Sequence, residues 1–374
     1  MYDREMPRVG VLGAFSIDNT GHIVVGMATR RAIRARVACD EVVLAVDLPH
    51  SLWRHDWSAQ YGAAPIRRVD PGDLDGRFAD DLDALVVGGG GILMPLPGFA
   101  AFLARVRAPA AWNAVCSQGT PWFDPTLAPF YAAIRAACER LAYVSVRNAT
   151  TARLVRRCGW DGALEIVPDP SLLFHAEPDP AVDRELARRG DRPLVGLSVG
   201  NALLDPRAAR FYAELLGELE RLAAADEIEL VVFPFGRIYG DVELARRAAA
   251  AMPHARLVGT ALDAVATWQL AGKLDLYVCA RLHAALAAYA QGVAFLVCDE
   301  YLSDTTATSK IRDFIVDREL EASYLVPFVG TRATARLQLA LADRRPATAA
   351  LAADRAALER HFDRLVAALG LTGA

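Results

Sequence analysis

The chain has 374 residues, 41 basic and 45 acidic, with a formal net charge of −4 and 53% hydrophobic residues. That length suits two or three domains, each able to bury its own core, and the composition is globular rather than disordered. The near balance of charge argues against a broad cationic face for nucleic acid and leaves room for a local basic pocket.

Taken in chain order, a charged N-terminus runs directly into the apolar stretch 9–12, which is too short for a signal-peptide core, so no targeting segment is expected. Strands are predicted at 9–13, 41–46, 84–87, 111–117, 143–146 and 164–167, with helices at 22–37, 99–105, 128–140 and 150–158. The uncharged stretch 84–104 holds four consecutive glycines and two prolines, so it reads as strand, turn and helix start rather than a membrane span. Pro168, Pro170, Pro178 and Pro180 then crowd together as a connection. A second series follows, with strands at 193–199, 229–234, 256–258, 274–279 and 294–298 and helices at 206–223, 242–251, 261–271 and 284–291. Residues 332–369 have helical periodicity and close the chain as one or two helices.

Near-continuous apolar strands alternating with helices predict parallel sheets covered on both faces. The expected class is α/β, with two doubly wound Rossmann-like domains facing a cleft: residues 1–176, a linker at 177–192, and residues 193–330. Residues 331–374 form C-terminal helices that could pack back across the boundary. Such folds bind ligands outside the carboxyl ends of their strands. The six cysteines have no CxxC spacing and read as reduced thiols of a cytoplasmic protein, with no disulfide and no metal site expected. Of the 41 basic residues only Lys273 and Lys310 are lysines, which leaves 39 arginines.

The segment from Asp275 to Leu286 carries the most chemistry. Leu276, Val278 and Cys279 mark a buried strand, and Arg281 and His283 follow where the chain turns into a helix. A guanidinium fork beside helix-terminal amides suits phosphate or carboxylate, and an imidazole can move a proton near neutrality. The residues alone fit equally an Arg–Asp surface pair beside a capping histidine. Gly88 to Gly91 follow another strand, where glycine permits close approach of a ligand or of a packing helix; the dinucleotide spacing fails because position 93 is Leu93. Asn19 can cap a helix or orient an acceptor hydroxyl, and His22 can cap or contact a ligand. His50, Trp53, His55 and Trp57 form either a satellite core or a stacking platform. Gln118 and Arg237 each follow a strand's carboxyl end, while Asp263 reads as a helix N-terminal residue.

Asp275 to His283, then Gly292-Val293, then Lys310 before Ile311-Arg312-Asp313-Phe314, resembles the C-terminal signature of the polysaccharide pyruvyltransferase family. Leu82 to Leu93 resembles its strand-plus-glycines motif, Val144-Ser145-Val146-Arg147 its Ser-x-Arg element, and Val167-Pro168-Asp169-Pro170 its Asp-Pro segment. The resemblance implies a GT-B-like fold, with 1–176 on the acceptor side and 193–330 on the donor side. The implied reaction moves a pyruvyl group from phosphoenolpyruvate to sugar hydroxyls as a ketal. His283 would be the acid/base beside Arg281, with Arg147, Lys310, Asn19, Gly89, Gly90, Gln118 and Arg237 contacting substrates. It implies no cofactor beyond the donor substrate and a small-molecule donor and sugar-type acceptor as partners, without nucleic acid or a membrane span; the oligomeric state stays open. Three places depart from the family pattern: His22 stands where an acidic residue is usual after Asn19-Thr20-Gly21, Asn148 follows Arg147, and the loop 299–310 is long. The alternatives are a nucleotide-sugar glycosyltransferase, against which stands the lack of a clear glutamate arrangement for ribose binding in 193–330, Glu300 being the one candidate, and a non-catalytic sugar- or anion-binding relative.

Overall fold

The computed structural model describes residues 6–13, 19–46, 65–69, 77–88, 106–115, 128–187, 190–237, 240–300, 309–328, 333–343 and 350–371. In chain order the elements begin with β1 (Arg8–Gly13), α1 (Thr20–Arg34), β2 (Asp40–Val46), β3 (Ile66–Val69), β4 (Ala84–Gly88) and β5 (Ala110–Val115). They continue with α2 (Ala128–Arg140), β6 (Tyr143–Val146), α3 (Ala149–Arg157), β7 (Glu165–Ile166), α4 (Pro180–Glu185), β8 (Leu194–Ser198) and α5 (Ala209–Ala224). Next come β9 (Glu229–Val232), α6 (Asp241–Ala250), β10 (Arg256–Leu257), α7 (Ala264–Ala271), β11 (Leu276–Cys279) and α8 (Leu282–Ala290). The last are β12 (Ala294–Cys298), α9 (Lys310–Val316), β13 (Tyr324–Leu325), α10 (Ala333–Ala342) and α11 (Leu351–Ala368). Contacts divide the chain into two compact units. Met1–Asp18, His22–Phe174 and Ala353–Ala374 make the first, and Asn19–Gly21 with His175–Ala352 the second.

In the first unit the described strands form one parallel sheet, ordered β3-β2-β1-β4-β5-β6-β7. Its central strands β1 and β4 are largely apolar because both faces are covered: Val9, Val11 and Leu12 of β1 and Ala84 to Val87 of β4 are fully buried. The expected strands at 9–13, 41–46, 84–87, 111–117, 143–146 and 164–167 all appear, shifted by a few residues at their ends. β3 has no counterpart among them, since Ile66-Arg67-Arg68-Val69 is an edge strand whose two arginines break the apolar run. The helix expected at 99–105 lies outside the described residues. The stretch 177–192, expected as a linker, holds α4 and counts with the second unit. Asp179 caps that helix by accepting from the Ala181 amide (2.8 Å) and Pro180 is its first residue, so an Asp-Pro pair that resembled a connection starts a helix instead.

The second unit holds a parallel sheet ordered β10-β9-β8-β11-β12-β13. Here α5 buries Phe211, Leu215, Leu219 and Leu222, the spacing of one helical face. α8 is buried along its whole length, and its alanines let it lie close on the sheet. β13 and α9 were not expected: β13 pairs over only two residues, and α9 is a short helix set by its Ser309 cap. The strand order reverses direction between β8 and β11, so the ends of those two strands, Ser198 and Cys279, open the crevice where such sheets take ligands.

A buried polar chain anchors the C-terminal helix in the first unit. β5 carries a register shift between Trp112 and Val115, and Ala114 takes a φ of 49°. Ser145 meets this bulge by accepting from the Ala114 amide (2.9 Å) and donating to the Trp112 carbonyl (2.8 Å). Asn113 donates to Thr29 Oγ1 (2.8 Å), which leaves its Oδ1 to accept from Nε2–H of the fully buried His361 on α11 (2.8 Å). The Tyr143 hydroxyl is shared between His361 Nδ1 (2.9 Å) and Glu165 Oε2 (2.8 Å). Arg36 adds ion pairs from the α1 end to Glu359 (2.6 Å) and Asp363 (2.7 Å).

Burial, assisted by Arg364 and Arg36, pushes the His361 imidazole down to about 3. The unfolded chain then binds a proton that the folded one does not, between about pH 6.5 and 3. The stabilisation is therefore complete above pH 6.5 and falls as pH drops through that window. We expect wild-type unfolding free energy to fall more steeply from pH 7 to 4 than that of His361→Gln, compared by denaturant titration. Parallel slopes would remove His361 as the cause.

Candidate functional site

β11 ends at Cys279, and Arg281, with extended backbone (φ −116°, ψ 141°), is the residue on which α8 starts. The Ala284 and Ala285 amides bond back to the Arg281 carbonyl (3.1 and 3.2 Å), so the main chain fixes where the guanidinium leaves the sheet. That guanidinium donates to Asp241 Oδ1. An Arg–Asp pair is thus present, but not at the surface: the Asp241 side chain is only 5% exposed and that of Arg281 19%. Asp241 is the first residue of α6, placed by Gly240 at a left-handed φ of 78° that glycine adopts without strain. Burial pushes the Asp241 carboxyl up to about 6, against the pull of Arg281.

His283, the second residue of α8, is buried. A side chain at Gly21 would collide with its ring, so the glycine in Asn19-Thr20-Gly21 is required by this close approach. Asn19 caps α1 by accepting from the Gly21 amide (3.0 Å), the capping alternative of the two expected for it. His22 is buried and so is not a solvent-facing cap.

After β12 come Asp299 and Glu300. Asp299 is fully buried and accepts from the Tyr324 hydroxyl (2.7 Å). Glu300 folds inward: Oε1 accepts from Tyr212 on α5, and Oε2 from the Ala202 amide (3.2 Å). The carboxylate fills the space above Gly200, where a Cβ would strike it. Burial raises the Glu300 carboxyl, opposed by the Tyr212 and Ala202 hydrogen bonds and by Arg281. Ser198 and Tyr277 hydrogen bond at 2.7 Å on the strands that meet at the reversal.

The other expected residues are spread over several loops. Arg237 follows β9 and donates to the Leu262 carbonyl (3.1 Å). Lys310 opens α9, whose cap Ser309 accepts from Ile311 (3.1 Å) and Arg312 (3.4 Å). Lys273, the other lysine, makes an exposed pair with Asp183 (3.0 Å). Arg147 belongs to the first unit: it follows β6, is buried, and donates to Asp169 Oδ2 at 2.5 Å. Asn148 next to it caps α3 by accepting from the Thr151 amide (2.9 Å), which gives that departure from the family pattern a local role. Gly89, Gly90 and Gln118 lie outside the described residues, as do His50, Trp53, His55 and Trp57. Asp241 and Tyr212 are the site residues that sequence reasoning missed. The available signal for Asp241 was an acidic residue directly after a glycine at the start of a helix that follows a strand. No group of three or more His, Cys, Asp or Glu that could hold a metal occurs among the described residues, nor does a helix long and apolar enough to cross a membrane.

Solved structures similar to this chain set its class first. The UDP-GlcNAc 2-epimerase from Neisseria meningitidis, solved bound to UDP-GlcNAc, is 10% identical, with 96% of this chain and all of that one covered and a TM-score of 0.59. The Methanocaldococcus jannaschii UDP-GlcNAc 2-epimerase is also 10% identical, with 95% of this chain and 99% of that chain covered and a TM-score of 0.59. Acinetobacter baumannii MurG is 14% identical, with 96% and 99% covered and a TM-score of 0.52. The protein thus has the two-domain α/β fold of the GT-B class. Residues 28–300 match the polysaccharide pyruvyl transferase family, and the chain belongs to that family. No curated protein matches the sequence.

The buried Arg147–Asp169 pair gives a test of its own. Removing one member strands a charge in a dry site, which costs about 3–5 kcal/mol, whereas removing both is far milder. Arg147→Met should lower the unfolding free energy by about that amount, and Arg147→Met/Asp169→Asn should recover more than half of it. Additive losses in calorimetry or denaturant titration would refute the coupling.

Proposed function

We propose that this pyruvyl transferase family member takes its pyruvyl group from phosphoenolpyruvate and attaches it to two hydroxyls of a sugar-containing acceptor as a ketal. The observation that carries the reading is the Arg281-x-His283 turn, set at the carboxyl end of β11 beside the reversal of the second sheet. A small anion with one carboxylate and one phosphate calls for a planar guanidinium and helix-terminal amides, and both are supplied at that turn. Lys310 adds a compact ammonium, and Arg147, in the first unit, keeps the substrate contact that the resemblance implies for it.

The chemistry follows from the donor. A proton added to the enol carbon leaves an oxocarbenium-like centre, which an acceptor hydroxyl attacks. A second hydroxyl then closes the ring as inorganic phosphate departs, and the two hydroxyl protons pass to base and solvent. His283 is the acid/base that moves these protons. Asn19, Gly89, Gly90, Gln118 and Arg237 are assigned to substrate contact, and a cytoplasmic setting supplies the donor.

A nucleotide-sugar reaction is the second reading, because the similar epimerase from Neisseria binds UDP-GlcNAc. Against it stands Glu300, whose two oxygens are engaged by Tyr212 and Ala202 rather than held out for a ribose.

Purified protein is expected to release phosphate from phosphoenolpyruvate only when a sugar acceptor is present. His283→Ala should lose about 10²–10⁴ of that rate. Lys310→Arg should be impaired chiefly in donor KM, because a guanidinium fork does not replace an ammonium. Thermal protection by UDP but not by phosphoenolpyruvate would replace this reading with the second.

A further inference from the structure

Attraction of an anion calls for cations, yet the cation at this turn is already matched by a carboxylate. Arg281 is held by Asp241, and a second, partly buried carboxyl, Glu300, lies close enough for Arg281 to act on it electrostatically. Two acids and one guanidinium therefore share the carboxyl ends of β9, β11 and β12 before any donor arrives.

We propose that Asp241 is the built-in counter-anion of Arg281 and takes up a proton from solvent when an anionic donor binds there. This rests on the reading that Arg281 receives the donor. The geometry gives the reason. Asp241 faces the guanidinium from the first turn of α6, on a carboxylate only 5% exposed, so water cannot screen it from a second negative charge. An incoming phosphate and carboxylate would meet that charge across Arg281, and protonating Asp241 removes the repulsion while leaving a hydrogen-bonding side chain in place. The carboxyl stands ready for this, because burial has already brought it up to about 6.

The ionisable surroundings are consistent. Arg281 lowers the Asp241 carboxyl, and among the described residues Glu300 and Tyr277 also feel the Asp241 charge. Tyr212 binds Glu300 and stays protonated through burial. Of the neighbouring charges, Glu243 on the same helix is exposed and paired with Arg247 (3.0 Å), and Glu229 of β9 is paired with Arg256 of β10 (2.6 Å). Arg237 donates to the Leu262 carbonyl. In this role Asp241 is a positioning residue, acting on the donor through Arg281.

The test is titration calorimetry of the full chain with phosphoenolpyruvate, at pH 6.5 and 8, in buffers of different ionisation enthalpy. Wild type should take up a fraction of a proton approaching one on binding, and its affinity should weaken by as much as about tenfold per pH unit above 6.5. The donor's own phosphate proton is common to all variants, so the difference between them reads Asp241. Asp241→Asn, which has lost the charge, should show no such uptake and should bind on the order of tenfold or more tighter than wild type at pH 8. A merely structural role predicts the opposite sign. Asp241→Glu should restore the uptake. Sulfoacetate, a carboxylate–sulfonate dianion that does not titrate near neutrality, checks wild type without any substitution and should also drive proton uptake. Uptake unchanged in Asp241→Asn, weaker binding by that variant at both pH values, or sulfoacetate binding without uptake would each overturn the inference and leave the donor reading intact. Failure of wild type to bind phosphoenolpyruvate at all would instead remove the donor reading.

Discussion

A buried aspartate paired with an arginine, at a point where a parallel strand hands over to a helix, recurs in both units and organises each. In the first unit Arg147 leaves β6 and meets Asp169 beyond β7; in the second Arg281 leaves β11 and meets Asp241 beyond β9. A guanidinium cannot be left in a dry interior alone, and an aspartate cannot either. Each pair therefore ties two separate loops at the carboxyl end of its sheet, the end where α/β sheets bind ligands. The loops are fixed by mutual need rather than by packing alone.

The second pair is set in acidic surroundings rather than in a purely cationic pocket. Glu300 is held inward by Tyr212 and the Ala202 amide, and Asp299 by Tyr324, so the carboxyl groups that line the end of β12 are structural partners before they are anything else. Arg281 is consequently compensated at rest. Affinity for an anion at that turn is a difference between two electrostatic partners, not the sum of unopposed attractions. The same logic in reverse operates around His361, where a neutral imidazole joins α11 to the first sheet because burial has removed its charge.

Much of the fold was legible in the chain. Val9 to Leu12 and Ala84 to Val87 read as strands because a sheet covered on both faces tolerates no polar alternation. Asp263 read as a helix start and is one, accepting from the Ala266 amide at 2.8 Å. Elements that depend on neighbours rather than on their own pattern were not legible. β3 carries arginines because it is an edge, β13 is too short to have a period, and the prolines near 178–180 opened α4 where they suggested a break.

The sequence by itself determined the alternation of strands and helices, the placing of Arg281 and His283 immediately after a buried strand, and the exceptional lysine at position 310, because each is a local property of a few consecutive residues. It also carried the motifs of the family to which the chain belongs. Only the tertiary structure decided the partners. Asp241 lies 40 residues from Arg281, Tyr212 lies 88 from Glu300, and His361 lies 248 from Asn113. Those pairings follow from the order β10-β9-β8-β11-β12-β13 and from the return of α11 to the first unit. Strand order is settled by how whole layers bury their apolar faces, and no short stretch of sequence contains that information.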